Sequence, residues 1–224
     1  MDFIFMLTRD DRTIPNCLEV IDTIAPLKLQ HIGFKDIGAE LETLRTLNQK
    51  IQASGATSYL EVVATSPQAA LNSARMAVEI GVNRLLGGTQ VAETLAILKN
   101  TNITYYPFPG HPTGHPTKLG GTPDDIHAHT TGFVQQGCAG VDLLAYRATD
   151  SDPIALVQAA RRALGTTPSL IVAGDINSQA RINALQAAGA NAFTIGSAAF
   201  NLSFSTAPTL IGQLSDIMGC VGVG

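Results

Sequence analysis

Tryptophan is absent from the 224 residues, and aromatic residues together supply only 5% of them. Charge is equally thin: 14 Lys and Arg stand against 18 Asp and Glu, a formal charge of −4, with no basic run. Neither the interleaved aromatic and basic residues of a single-strand binder nor the electrostatic footprint of a duplex binder is present, so no nucleic-acid partner is expected. The three cysteines, Cys17, Cys138 and Cys220, are odd in number and far apart. They give neither a disulfide framework nor zinc-ligand spacing. No apolar run reaches the ~18 residues of a membrane span. The opening MDFIFMLTRDD lacks the basic n-region of a secretory signal. The expectation is a cytoplasmic protein without membrane contact, and no motif calls for a metal or a cofactor.

What remains is 45% hydrophobic, rich in Ala, Leu, Ile and Gly. Eight short apolar segments recur along the chain: 3–8, 29–34, 58–64, 84–88, 104–108, 142–146, 169–174 and 192–196. Between and after them lie eight amphipathic stretches of helical period. Such alternation gives parallel strands joined by helical crossovers, and eight units are the count of an α/β (β/α)8 barrel over one domain, 1–224. Ser66-Pro67, Thr122-Pro123 and Asp152-Pro153 each set a capping side chain before proline at a helix start. Ala-rich, weakly charged helices also suggest a possible homo-oligomer.

A Gly, small apolar, Thr/Asn/Asp pattern begins at residues 55, 81, 140 and 189. It reads as helix end followed by strand entry, which would put Asp142 on the bottom face as a structural residue. The same alignment places Glu61, Gly87, Tyr146 and Ile195 near the upper strand ends, where active sites of such barrels collect.

The last quarter, IVAGDINSQARINALQAAGANAFTIGSAAF, ends its two apolar segments in Gly174-Asp175-Ile176 and Gly196-Ser197-Ala198. Glycines there let backbone N–H groups approach an anion, and Ser197–Phe200 can open a short helix facing the same point. Gly174, Asp175, Gly196 and Ser197 are therefore candidate phosphate-binding residues. The paired endings resemble the phosphate-binding signature of the ribulose-phosphate-binding barrels. That resemblance implies a (β/α)8 barrel and a phosphorylated small-molecule partner. It leaves the reaction open, since isomerases, epimerases, decarboxylases and aldolases share the cradle, and a flavin or nucleotide phosphate would also fit.

The period-2 reading of LQHIGFKD sends Ile32 and Phe34 towards the helices and His31, Gly33 and Lys35 inwards. Likewise Tyr59, Glu61 and Val63 face in. Lys35 and Glu61 thus become inward neighbours, either a structural ion pair or the chemistry itself. In the second case Glu61 is a proton-transferring base, and Lys35 stabilises an enediolate or forms a Schiff base. Of the two acids in LTRDDR, Asp10 is preferred to Asp11 as the third catalytic candidate. Tyr146 and Arg147 are candidate substrate contacts. The dense stretch PFPGHPTGHPTKLGGTP, 107–123, is too long for an ordinary connection. It reads as a lid, with His111, His115 or Lys118 contacting substrate, in preference to a metal site or a passive connector. The leading expectation is a phosphosugar isomerase or epimerase working through an enediolate. A lyase, either Schiff-base aldolase or decarboxylase, is the alternative, and a barrel that binds phosphometabolites without turnover is the third.

Overall fold

The computed structural model describes residues 1–64 and 66–221, so Thr65 and 222–224, which belong to the expected domain, lie outside it. Each apolar segment forms a strand: β1 (Asp2–Met6), β2 (His31–Lys35), β3 (Thr57–Glu61), β4 (Arg84–Leu86), β5 (Thr104–Tyr106), β6 (Gly140–Leu143), β7 (Ser169–Val172) and β8 (Ala192–Ile195). All are parallel, in the order β6-β7-β8-β1-β2-β3-β4-β5. The β5 and β6 edges meet through Ala139 N–H to the Tyr105 carbonyl, 3.1 Å, and Asp142 N–H to the Pro107 carbonyl, 3.0 Å. That seam closes the sheet into a barrel.

Alternation along the strands builds two cores. Phe3, Phe5, Ile32, Phe34, Leu60, Leu85, Val141, Leu143, Leu170, Val172, Phe193 and Ile195 point outwards under the helices. Ile4, Met6, Tyr59, Leu86, Tyr106, Ile171 and Ala192 fill the barrel itself. Gly33 belongs to the inner set because it has no side chain: a Cβ there would meet Met6 Sδ at 2.4 Å.

The outer helices are α1 (Cys17–Ile24), α2 (Leu41–Ala53), α3 (Pro67–Ile80), α4 (Val91–Leu98), α5 (Pro123–Gln135), α6 (Pro153–Leu164), α7 (Gln179–Ala187) and α8 (Leu210–Cys220). The expected caps form. Ser66 Oγ accepts from Ala69 N–H, Asp152 from Ala155 N–H, and Thr122 and Asp125 cap α5 reciprocally. Each contributes about 1 kcal/mol to its helix start. Among the described residues no helix is long and apolar enough to cross a membrane.

Two local readings need correction. Gly55, Gly81 and Gly189 take positive φ after their helices, but the glycine in that position before β6 is Gly137, φ 99°. The Gly140-Val141-Asp142 match is therefore out of step by three residues. Asp142 lies within β6 in register with Ile171, fully buried, and is no strand-entry residue. The strand expected at 142–146 runs instead from 140 to 143, and Ala145–Arg147 is a 3-10 turn. Within 107–123, His111–Thr113 pairs antiparallel with Lys118–Gly120 in a hairpin anchored by Leu119 at 1% exposure.

Candidate active site

The parallel register of β2 and β3 sets Lys35 beside Glu61 at the upper end of the barrel. Lys35 Nζ lies 3.0 Å from Glu61 Oε1 and 2.8 Å from Asp11 Oδ1. Arg147 grips the same Asp11 with both terminal nitrogens, 2.6 Å to Oδ2 and 2.8 Å to Oδ1. Thr117 N–H adds a bond of 3.2 Å to Oδ2. The result is a chain of alternating charge, Glu61–Lys35–Asp11–Arg147, whose first three members are each 5% exposed.

Burial by itself would raise the Asp11 pKa, but hydrogen bonds from Arg147 and the Lys35 charge hold it well below the usual carboxylate range. Burial would likewise lower that of Lys35, and the Glu61 and Asp11 carboxylates reverse it, so the ammonium form is favoured. Asp36, next in sequence, faces away: its carboxylate accepts from Val63 N–H at 3.0 Å and Ser73 Oγ at 2.5 Å. It ties β2 to α3.

Which acid of LTRDDR enters is settled by a small hairpin, Thr8–Arg9 paired with Arg12–Thr13. Its tip is Asp10-Asp11, with φ of 52° and 58°, a left-handed pair that Asp tolerates better than most side chains. That turn throws Asp10 out to solvent, where only its N–H touches Ser197 Oγ, 3.3 Å away, and aims Asp11 inwards. The preference for Asp10 is thus reversed: two adjacent acids carry no sequence signal of turn type. We expect Asp10→Asn to leave activity and stability near wild type. Asp11→Asn should reduce both, leaving Lys35 with one carboxylate. Because the folded pKa of Asp11 is depressed, its stabilisation is present above the unfolded value of about 3.9 and fades as pH falls below it. Melting curves of wild type and Asp11→Asn should therefore converge in acid; a constant gap would contradict this role.

Across the mouth, Gly174 (φ 82°) and Asp175 (φ 53°) turn the chain after β7, and Gly196 leads into the short helix Ser197–Phe200. Among the described residues, the N–H groups of Gly174, Asp175, Ile176, Asn177, Ser197 and Ala198 donate to no other protein group. They border a cavity of about 210 Å³ that Lys35, Glu61, Asp11 and Arg147 also line, Arg147 lying against Gly174 with its Nε 4.0 Å from Asp175 Oδ1. Backbone N–H groups without a protein acceptor and a charged cluster thus share one space.

The remaining candidates are spread out. Tyr146 lines an adjoining groove and is covered by Arg181, whose guanidinium sits 4.5 Å from the ring centroid and also donates to the Asp175 carbonyl. Arg181, on α7, has no marker in the sequence. Lys118 lines the same groove from the hairpin. His111 and His115 are exposed, and His111 packs edge-on against His129, 5.4 Å between centroids. Among the described residues no group of three His, Cys, Asp or Glu side chains could hold a metal ion.

At the level of sequence, no protein-family model and no curated protein matches the chain. Solved structures do match in fold. The orotidine 5′-phosphate decarboxylase from Pyrococcus horikoshii OT3 superposes with a TM-score of 0.67 at 12% identity, over 99% of this chain and 100% of its own. A 3-hexulose-6-phosphate synthase gives 0.68 at 14%, over 99% and 100%. A native KDPGal structure gives 0.68 at 10%, over 100% and 97%. At 10–14% identity these likenesses show a shared fold. The (β/α)8 barrel that the sequence resemblance implied is thus the fold they share with this chain.

Proposed function

We propose that this barrel is a lyase that breaks a carbon–carbon bond in a phosphorylated small molecule, by decarboxylation or retro-aldol cleavage. The observation that carries the reading is the state of Lys35: an ammonium clasped by Asp11 and Glu61, 2.8 and 3.0 Å away, facing a backbone phosphate cradle across one cavity. A charged amine is no nucleophile, which weighs against Schiff-base chemistry. It is well suited to hold an enolate oxygen or to protonate its carbon. In the reaction the scissile C–C bond breaks and its electron pair stays on the phosphorylated fragment as an enolate; the other fragment leaves as CO₂ in decarboxylation, or in retro-aldol cleavage as a carbonyl compound whose hydroxyl proton passes to solvent in the open cavity. The Lys35 N–H bond then breaks as the new C–H bond forms. The decarboxylase and synthase among the structural neighbours agree in class. The isomerase reading requires Glu61 to act as a free base, whereas the ion pair occupies one of its oxygens.

The test is incubation in D₂O with a panel of phosphorylated ketoses and keto acids, followed by carbon NMR and mass spectrometry. Cleavage of the skeleton with one deuteron in the product, lost in Lys35→Met, is the expected result. Deuterium entering an intact skeleton would replace this reading with proton-transfer isomerisation. Phosphate affinity without chemistry would reduce the protein to a binding barrel. Borohydride should trap no adduct.

A further inference from the structure

A second cavity, of about 230 Å³, opens over the upper ends of β3, β4 and β5, and the reaction above gives it no occupant. Its walls are the loops that follow those strands and the first strand of the hairpin, with Val63, Ala64, Phe108 and Pro112 as apolar lining. The two cavities meet at the charged chain. Glu61 lines the first, and Val63, two residues further along, lines the second. Asp11 lines the first, and Thr117, whose N–H it accepts at 3.2 Å, lines the second. Their chemistry differs. Lys35, Glu61, Asp11, Arg147 and Asp175 surround the first cavity with charge, whereas no described residue lining the second is ionisable. An anion seated there would lose its water and gain no cation. An uncharged, oxygen-bearing group would keep its hydrogen bonds. Ser66, Thr89 and Thr113 offer hydroxyls, and the N–H groups of Gly88 and Thr89 donate to no other described residue.

We infer that the second cavity seats the half of the substrate that departs, and that this half is an uncharged aldehyde or ketone. The inference rests on the lyase reading and narrows it to retro-aldol cleavage of a phosphorylated β-hydroxy ketone. Decarboxylation would release only CO₂, and a cavity as large as the one on the phosphate side would then serve nothing. In the cleavage, the bond between the α-carbon and the carbinol carbon breaks, and its electron pair becomes the enolate held by Lys35. The carbinol O–H bond gives its proton to solvent, and its oxygen becomes the carbonyl of the departing fragment. The free N–H groups of Gly88 and Thr89 are the donors available to that oxygen. Lys35 then protonates the α-carbon of the phosphorylated half. Thr89 and Thr113, both exposed at the cavity rim, become specificity-determining residues for the departing half.

Two phosphate esters of equal length test the cavity without any turnover. Ribitol 5-phosphate ends in a hydroxymethyl group, and ribonate 5-phosphate ends in a carboxylate. In calorimetric titrations the first should bind tighter than the second by on the order of 10-fold or more. Thr89→Lys should erase that preference by giving the carboxylate a cation, with the affinity for inorganic phosphate unchanged. Thr113→Phe, which fills the cavity, should bring ribitol 5-phosphate down to the affinity of inorganic phosphate. Equal binding of the two esters, or a preference that neither variant moves, overturns the inference. In the panel of phosphorylated ketoses and keto acids, the compound that is cleaved should release an aldehyde or ketone that a hydrazine reagent captures. Cleavage that releases CO₂ or an anionic fragment overturns the inference and leaves the lyase reading standing. No cleavage anywhere in the panel takes down the lyase reading and the departing half with it. The ester titrations alone then decide whether the cavity seats an uncharged group.

Discussion

Lys35→Met should slow cleavage on the order of 10²–10³-fold while leaving inorganic phosphate binding intact, and it should cost the protein much of its stability. The Met side chain is close in volume and apolar, so the change removes charge with little cavity. Asp11 would retain Arg147, but Glu61, at 5% exposure, would be left without its cation. Breaking a buried pair from one side costs about 3–5 kcal/mol. For a chain of this size that is a fall in melting temperature of roughly 6–20 °C, at ~2–4 °C per kcal/mol. The activity loss, on the order of 10²–10³-fold for one electrostatic donor, should exceed anything explained by unfolding at the assay temperature. The double variant Lys35→Met/Glu61→Gln separates the two effects. Without the orphaned carboxylate it should regain most of the lost stability and none of the activity. A single Lys35→Met variant that melts like wild type would mean that the ion pair is not formed as described. One that cleaves substrate normally would remove Lys35 from the chemistry.

How much of this could be read from residues alone follows the range of the signals. Strand and helix alternation is local and dense, and all eight units appear within a few residues of where the apolar periods place them. Period-2 alternation also fixes Lys35, Glu61 and Tyr59 inwards and Phe34 and Leu60 outwards, because a one-residue slip would bury a whole polar face. Turn geometry is less legible. Asp10 and Asp11 share a residue type and a position, and only the left-handed pair at the hairpin tip decides between them. Asp142 was hidden by a false repeat: glycine occurs at both 137 and 140, and the pattern locks onto the wrong one. Arg181 acts through tertiary contact with Tyr146 and Asp175, and nothing near it in sequence marks it. The hairpin within 107–123 carries no strand signal because prolines and glycines dominate it, although Leu119 suffices to anchor it.

The proposed phosphate cradle makes the other large prediction. Gly196→Ala should lower the affinity for inorganic phosphate and phosphate monoesters about 100-fold. A Cβ at Gly196 would sit 2.5 Å from Thr8 Oγ1, 2.8 Å from the Thr8 carbonyl and 3.1 Å from the Met6 carbonyl. A hydroxyl can rotate away, but the carbonyls of β1 and its hairpin cannot, so the turn itself must move. Its displacement carries with it the N–H groups of Ser197 and Ala198 that open the short helix. Misaligned donors lose most of their worth to an anion, and a loss of two or three charge-assisted bonds accounts for a 100-fold change. Gly174→Ala works differently. Its φ of 82° strains any side chain, and the new Cβ would press on Arg147 at 2.7–2.8 Å. Arg147 can yield, but only by loosening its two bonds to Asp11. That variant should therefore impair phosphate binding and cleavage together. Gly132→Ala, in α5 with nothing within 4 Å of the added carbon, is the control and should change neither. Calorimetric titration with inorganic phosphate distinguishes the outcomes. If Gly196→Ala binds phosphate as wild type does, the anion site lies elsewhere, and the Lys35 cluster must be reconsidered without a phosphate to face.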